Sequence, residues 1–234
     1  MIANTYKKMF EALVPSNLEK FAKKDKGTVG EGAKVYFLAW IVSLVLGVAG
    51  ILLAVSTAGP DMNTLAQMVG WNTVGILGVG LVIIGSIIGL VGALAMQYVS
   101  QYVGNWCALS IFKGKGSFAQ QFYTVMLFTA GLLIITELLS FLGLVVPMIA
   151  FVTSIISMLF GLYGLYLLYL AIKSVHGLDV GGGIVSMIVT LLAGVAFAII
   201  VGVIIGFVLV TVFGMGAAAG SLATSGGGIG NLGV

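Results

Sequence analysis

Few residues of this chain combine an ionisable side chain with surroundings that favour chemistry, and Glu137 is the first of them. It lies well inside an apolar run that is long enough to cross a bilayer. An acid at the centre of a membrane span costs roughly 2.5–3.5 kcal/mol, and residues kept at that cost commonly serve proton or cation pathways. The alternative is a structural Glu137, protonated or reached by water, which bonds to Thr136, Ser140 or a neighbouring helix.

Three amide side chains form a polar stripe at helical spacing. Gln97, Gln101 and Asn105 follow each other at steps of four residues, which places them on one face of a helix. This stripe would line a cavity or receive a partner. Alternatively, it would face the cytoplasm after the helix has left the bilayer.

The chain lacks the residue groupings on which enzymes depend. No candidate base lies near Cys107 in the sequence, and His176 is the only histidine. His176 and Asp179 supply two potential ligands in a predicted solvated loop, which is too few for a zinc site. The glycine-rich stretches do not contain the GxxxxGK[ST] pattern of a phosphate loop. We therefore predict a protein that is not an enzyme and has no catalytic, cofactor-binding or metal-binding residues.

The composition places these residues in a membrane. The chain is 60% hydrophobic and 7% charged, with a mean hydropathy of +1.22, whereas soluble domains carry about 25% charged residues. We predict an all-α, polytopic membrane protein. The net charge of +3 does not indicate nucleic-acid binding, because the basic residues flank the apolar runs and would meet anionic lipid headgroups.

The apolar runs divide the chain into five predicted spans. A helix needs about 20 apolar residues to cross roughly 30 Å of hydrocarbon. The spans cover residues 35–57, 74–96 with a helical extension to 112, 118–143, 147–172 and 184–213. Gly143 and Pro147 place a tight turn between the third and fourth spans, and a re-entrant hairpin is the alternative. Residues 1–34 form an N-terminal cytoplasmic arm, and residues 214–234 form a flexible, Gly-rich tail.

The lysines predict the orientation of these spans. The basic residues are Lys7, Lys8, Lys20, Lys23, Lys24, Lys26, Lys34, Lys113, Lys115 and Lys173. The breaks around Asp61 and Pro147 contain no lysine. Because basic loops stay on the cytoplasmic side, we expect a cytoplasmic N-terminus and an outside C-terminus, in the cell membrane if the organism is a prokaryote.

The arm has the pattern of an amphipathic helix in the headgroup plane. Its apolar residues recur at helical spacing: Ile2, Tyr6, Met9, Phe10 and Leu13. Pro15 ends this helix, and Ser16 with Glu19 forms a capping box that begins a second one. The arm would sense the membrane or dock a partner, or it would only orient the first span.

Small residues at steps of four predict close helix packing. They are Gly85 and Gly89 in the second span, and Gly194, Ala198, Gly202 and Gly206 in the last. We expect these ridges to pack spans within one subunit, with homodimer formation as the alternative.

Three short segments resemble a known family of membrane proteins. Residues 15–21 are similar to a P-x-x-F/L entry ahead of a first span, residues 112–118 to a basic, Gly-rich loop, and residues 167–186 to the loop between spans four and five. These segments resemble prokaryotic members of the Yip family (Ypt/Rab-interacting membrane proteins). That family often carries a proline in its third span, where residues 128–132 have none. The resemblance implies five spans and a cytoplasmic N-terminus. Eukaryotic members act in vesicle traffic and bind small GTPases, but residues 1–34 do not resemble their long cytoplasmic N-terminal regions, so we do not expect GTPase binding at any residue here.

Three functions are compatible with these features. The first is a non-enzymatic integral membrane protein that organises membrane or recruits partners, with anionic headgroups, a protein partner or a second copy of the chain at its surface. The second is a small transporter or channel that uses Glu137 and the Gln97/Gln101/Asn105 stripe. The third is an accessory subunit of a larger membrane complex.

Overall fold

The computed structural model describes residues 2–56 and 71–225, and Asp61 lies outside them. The helices are α1 (Ile2–Glu11), α2 (Pro15–Lys24), α3 (Val29–Ser56), α4 (Trp71–Ser110), α5 (Phe118–Val145), α6 (Ala150–His176) and α7 (Val180–Ser225), with a 3-10 turn at Pro147–Ile149. No strand occurs within these two ranges.

Five helices are long and apolar enough to cross a membrane, as the sequence predicted. The candidate spans are Val29–Gly50, Ile83–Ser110, Phe118–Val145, Pro147–His176 and Val180–Ile204. The all-α, five-span architecture is therefore confirmed. A span of 28 residues, such as that of α5, is about 42 Å long at roughly 1.5 Å per residue, which exceeds the hydrocarbon thickness of about 30 Å.

Several helices extend beyond the predicted spans. Helix α4 is continuous over 40 residues, so the predicted span and its extension form one helix of about 60 Å. The loop between α6 and α7 consists of residues 177–179 only, because α6 continues through His176. Helix α7 continues to Ser225, in the segment where the sequence predicts a tail from residue 214.

The five long helices pack as a bundle in which consecutive helices run antiparallel. The most extensive contacts join α3 to α5, α4 to α7 and α5 to α6. Glycines allow the closest approaches, since a Cβ at Gly104 would lie 1.8 Å from Thr190 Oγ1 and one at Gly32 would lie 2.9 Å from Phe122. Because lipid tails are as apolar as leucine, such close contact contributes much of helix association in a bilayer.

The turn between α5 and α6 contains no charged residue. Val146 N–H donates to Leu142 O, and Pro147 begins the 3-10 turn. A Cβ at Gly143 would lie 2.8 Å from Thr153 Oγ1, so this glycine lets the two helices meet at the turn. Both helices are long enough to cross the membrane.

The arm folds back onto the bundle. In α1, Tyr6 OH donates to Leu38 O of α3 at 3.0 Å, and the Met9 carbonyl lies against Gly131 of α5. Just after α1, Leu13 O accepts a hydrogen bond from Tyr163 OH of α6. Successive positions of the arm thus contact three different helices, so α1 crosses the bundle instead of running along it.

The best-packed part of the protein lies at the end where the arm docks. The buried side chains of α5 fall between Gln121 and Ile134, and those of α6 fall mostly between Leu167 and His176. Met9 and Leu18 of the arm are fully buried in the same cluster. Beyond this region, many large apolar side chains of the described helices are exposed, as those of a lipid-facing surface are.

Candidate functional site

All ten lysines of the chain lie towards one end of the bundle. Gln120, at the start of α5, donates a hydrogen bond to Ala22 O of the arm. Lys115 N–H donates to His176 O at 3.0 Å and so joins the α4–α5 loop to the end of α6. These contacts gather the arm, the α4–α5 loop with Lys113 and Lys115, and the end of α6 with Lys173 at one end, which we call the lysine end.

A cavity of about 640 Å³ opens at the lysine end, and we call it the basic cavity. It lies between the α4–α5 loop and the α6–α7 loop, beside the end of α2. Its lining includes Lys23, Lys113, Lys115, His176 and Asp179. Three cations against one carboxylate leave it positively charged.

The cavity lysines have no ionic partner among the described residues. The two salt bridges found in this part of the chain join Lys7 to Glu11 and Lys8 to Asp25. Asp179 Oδ1 instead accepts a hydrogen bond from Gly182 N–H at 2.8 Å and caps the first turn of α7. The positive charge of Lys23, Lys113 and Lys115 therefore remains available.

Lys113 has an unusual backbone conformation for its residue type. Its φ of 52° lies in the left-handed region, which costs a residue with a Cβ roughly 1–2 kcal/mol. Helices commonly end with glycine in this conformation, as α6 does at Gly177 with a φ of 65°. A lysine held there is the kind of local strain that often accompanies a functional site.

A buried hydrogen-bonded chain begins at the wall of the basic cavity. Gln121 Nε2 donates to Gln101 Oε1 at 2.7 Å and also lies 3.3 Å from the Gln101 carbonyl. Because that carbonyl can only accept, the orientation of the Gln121 amide is fixed. Gln121 Oε1 therefore accepts from His176 Nε2–H at 2.7 Å, which leaves His176 Nδ1 as the unprotonated ring nitrogen.

His176 is 1% exposed, and its Nδ1 has no hydrogen-bond partner among the described residues. The sequence placed His176 in a solvated loop, and that prediction was wrong. The reason is that Gly114, in the loop after α4, packs against this side chain, since a Cβ at Gly114 would lie 2.7 Å from His176 Cβ and 3.2 Å from the ring atom Cγ. A buried acceptor without a partner costs about 1–3 kcal/mol.

The predicted amide stripe faces the interior of the bundle. Gln101 is 2% exposed, and Asn105 is buried with no partner for its Oδ1 in the described part of the chain, which excludes a stripe that faces the cytoplasm. Gln97 and Gln101 line a second cavity of about 380 Å³ between α4, α5, α6 and α7. The wall of this cavity is mostly apolar.

Glu137 lies elsewhere. It lines a separate cavity of about 420 Å³ between α3 and α5, together with Gly47, Gly50 and Ser140. The hydroxyls of Thr136 and Ser140 donate to main-chain carbonyls of α5 and not to the Glu137 carboxylate. The structure does not bring Glu137 and the amide stripe together.

The predicted glycine ridges differ in their surroundings. Gly194 lies 3.5 Å from the Ser100 side chain, measured from an added Cβ, and so packs α7 on α4. The corresponding positions at Gly85, Gly89 and Gly202 have no described atom within 4 Å. Ala198 lines the cavity beside the stripe. Gly206 lies among the residues whose surroundings are not described, and a packing role for the open glycines stays a prediction.

Sequence reasoning missed two residues that organise this end. Gln121 lies within the third span, and the only available signal was a polar residue near the start of an apolar run. Gly104 contacts Thr190, but a single glycine at this position does not form the step-of-four pattern that singled out the other glycines. Both roles depend on contacts between helices that are distant in the sequence.

Comparison with known proteins gives one match. A family model described as the Yip1 domain matches residues 20–201, which includes the end of the arm, both lysine-end loops and most of the five spans. No curated protein and no solved structure matches this chain.

Proposed function

This chain belongs to the Yip1 domain family, and from that premise we propose a non-enzymatic membrane protein that organises the bilayer and recruits partners through its lysine end. One observation carries this proposal: α1 crosses the bundle at one level, with the densely packed lysine end on one side of it and the lipid-facing helices on the other. Small GTPases are partners of other family members, and no residue of this chain is assigned to such binding.

The level of α1 suits a helix that lies at the bilayer boundary. From Gly131 to Val145 α5 extends about 21 Å, and from Ala150 to Tyr163 α6 extends about 20 Å. An interfacial helix is immersed by roughly 5–10 Å at the boundary of headgroups and acyl chains. The length of either helix segment plus this immersion depth approaches the hydrocarbon thickness of about 30 Å. Helix α1 would therefore mark the membrane surface.

The outward face of α1 also fits this position. Phe10 and Ile2 are 43% and 62% exposed, and the Lys7 side chain on the same helix is 73% exposed. Apolar side chains would enter the acyl region while the lysine meets phosphate headgroups. Of the roughly 20 Å of α5 that precedes Gly131, about 10–15 Å would then project from the membrane with both lysine-end loops, because α1 itself is immersed by roughly 5–10 Å. By the positive-inside rule this projection is cytoplasmic.

Spin-label accessibility tests the position of α1. In a Cys107→Ala background, we expect a label at Phe10→Cys to be reached by oxygen, which dissolves in lipid. The matched label at Lys115→Cys should be reached by a water-soluble nickel complex instead. If both labels respond as aqueous sites, α1 does not lie at the bilayer surface and the proposal fails.

Vesicle size tests the organising role. The intact chain and a variant without residues 2–14 are reconstituted at equal protein-to-lipid ratios. An interfacial helix on one leaflet acts as a wedge, so we expect smaller vesicles with the intact chain. Equal diameters would remove the organising role.

Transport remains the second candidate, because Glu137 lines its own cavity between α3 and α5. It predicts that Glu137→Gln abolishes ion- or pH-dependent flux in liposomes, whereas unchanged flux would remove it. The separation of Glu137 from the Gln97/Gln101/Asn105 stripe weighs against a joint pathway. An accessory-subunit role would instead use the open glycines at Gly85 and Gly89 as contacts with other chains.

A further inference from the structure

We propose that the basic cavity binds a phosphate group, carried either by a soluble molecule or by an anionic lipid headgroup. Lys23, Lys113 and Lys115 supply the positive charge, and His176 forms part of the wall. This inference goes beyond the proposed membrane-organising role. Phosphate binding in the basic cavity does not depend on which side of the bilayer the lysine end faces.

The charge of the cavity is the first argument. The lysines that line it have no ionic partner among the described residues, while Lys7 and Lys8 on the arm are paired. Clefts lined by charge of one sign concentrate oppositely charged ligands, and lysine binds phosphate as a point charge. Asp179 does not neutralise the site fully, because one carboxylate faces three cations and its Oδ1 already caps α7.

The backbone of Lys113 is the second argument. Glycine would adopt a φ of 52° without the steric cost that a Cβ brings. Gly114 N–H donates to Ala108 O and closes the end of α4 at this point, so the conformation is set by the turn. The Lys113 side chain therefore extends from a strained backbone position in the cavity lining. Its ammonium group could bind an anion there.

His176 is the third argument. Its Nδ1 is buried and unpaired among the described residues, and the residue belongs to the cavity wall. A protonated phosphate oxygen or an ordered water brought in with the ligand would supply the missing donor. Such satisfaction of a buried polar group is favourable, because the unpaired state carries the full desolvation cost.

The hydrogen-bonded chain connects this wall to the bundle interior. His176 bonds to Gln121, and Gln121 bonds to Gln101, which lines the cavity between α4, α5, α6 and α7. A ligand that repositions the imidazole of His176 would therefore also alter the hydrogen bond between Gln121 and Gln101. The basic cavity and the interior cavity thus share one polar connection.

Phosphate titration of the full chain tests the site. The protein is placed in phosphatidylcholine nanodiscs with a purification tag that contains no histidine, and inorganic phosphate is the probe. We expect saturable binding that is roughly ten-fold weaker in Lys113→Gly and in Lys115→Gln, the loss expected for one charge-assisted contact. The control Lys20→Gln, on an exposed lysine outside the cavity, should bind as the unmodified chain does.

The single histidine of the chain provides a local readout. In protein labelled with ¹⁵N-histidine, phosphate should shift the Nδ1 resonance of His176, and this shift should be lost in Lys115→Gln. Binding without any shift would locate phosphate elsewhere and overturn the proposal. An absence of saturable binding, or an equal loss in Lys20→Gln, would overturn it as well.

Nanodiscs that contain phosphatidylglycerol distinguish the two sources of the phosphate group. Competition by this lipid would assign the site to a headgroup, and unchanged phosphate affinity would assign it to a soluble ligand. Both results support a phosphate site. Since nanodiscs expose both faces of the protein, phosphate binding can succeed even where the bilayer-organising role fails.

Discussion

Lys113 and Gly177 end helices α4 and α6 in the same left-handed backbone region, and both residues lie at the wall of the basic cavity. Only glycine adopts this conformation without steric cost. Gly177 thus has the residue type that the turn favours, whereas Lys113 does not. The cavity wall therefore includes two helix ends with a similar left-handed residue but with different backbone strain.

This relationship predicts opposite outcomes for exchanges at the two positions. Gly177→Ala should lower stability by about 1–2 kcal/mol, because open space surrounds the new Cβ and only the backbone is strained. Lys113→Gly should leave stability unchanged or raise it by up to about 1 kcal/mol, since relief of strain exceeds the added entropy of glycine. Thermal unfolding in detergent measures both. A marked loss of stability in Lys113→Gly would contradict this account.

Gln121 is predicted to be essential to the packed lysine end. Gln121→Leu removes the partners of His176 Nε2–H and Gln101 Oε1, and each unpaired buried group costs about 1–3 kcal/mol. We expect a clear fall in the midpoint of thermal unfolding. Gln97→Leu is the matched control, because Gln97 lines the interior cavity without belonging to this chain of hydrogen bonds. Equal stability of the two variants would contradict the prediction.

Helix α4 offers a matched pair of glycines. Gly104→Ala would place a Cβ 1.8 Å from Thr190 Oγ1, and such overpacking typically costs about 1–3 kcal/mol. Gly89→Ala meets no described atom within 4 Å, and alanine is the better helix former by roughly 0.8–1.0 kcal/mol. Unfolding of each variant in detergent measures the difference. A destabilised Gly89→Ala that also changes its oligomeric state would reveal a contact between copies of the chain.

The two ends of the bundle are predicted to lie in different compartments. In a Cys107→Ala background, Lys115→Cys reports on the lysine end and Met148→Cys, at a residue 94% exposed in the α5–α6 turn, reports on the other. A membrane-impermeant maleimide applied to sealed cells should label Met148→Cys and leave Lys115→Cys unmodified until the membrane is opened. Labelling of both positions from one side would exclude five crossing spans.

The Lys8–Asp25 pair is predicted to hold the arm modestly. Asp25 accepts a hydrogen bond from Lys8 Nζ at 2.8 Å and raises the pKa of that ammonium above its ordinary value of 10.5. A raised lysine pKa stabilises the folded state below the unfolded pKa, and this contribution disappears as pH rises through the folded value. Because both side chains are partly exposed, the pair contributes at most about 1 kcal/mol.

Limited proteolysis of the arm measures this contribution. Asp25→Asn should speed cleavage of residues 1–28 at neutral pH and make the rate insensitive to pH above 10. The matched control Glu11→Gln removes the longer, more exposed Lys7–Glu11 pair and should change the rate little. Identical rates for Asp25→Asn and the intact chain would show that apolar packing alone holds the arm.

Much of the architecture could be predicted because it depends on local properties. Long apolar runs specify helices that can cross a bilayer, and the positions of the ten lysines predicted that their segments would share one end. The helical spacing of Met9 and Leu13 predicted that they share one face of α1, whereas the position of this helix in the headgroup plane stays a prediction. The boundaries of the helices were predicted less well. Helix α6 continues through His176 and is capped by Gly177, so the last loop is shorter than the sequence predicted.

The site itself depended on the tertiary structure. The spacing of Gln97, Gln101 and Asn105 predicted one polar face, but not whether that face meets solvent or the bundle. Likewise, nothing local to His176 indicates that Gly114 covers its ring or that Gln121 bonds to it, because these partners belong to three different helices and loops. Periodicity along one helix determines which side chains share a face, whereas only the packing of helices against each other decides what that face touches.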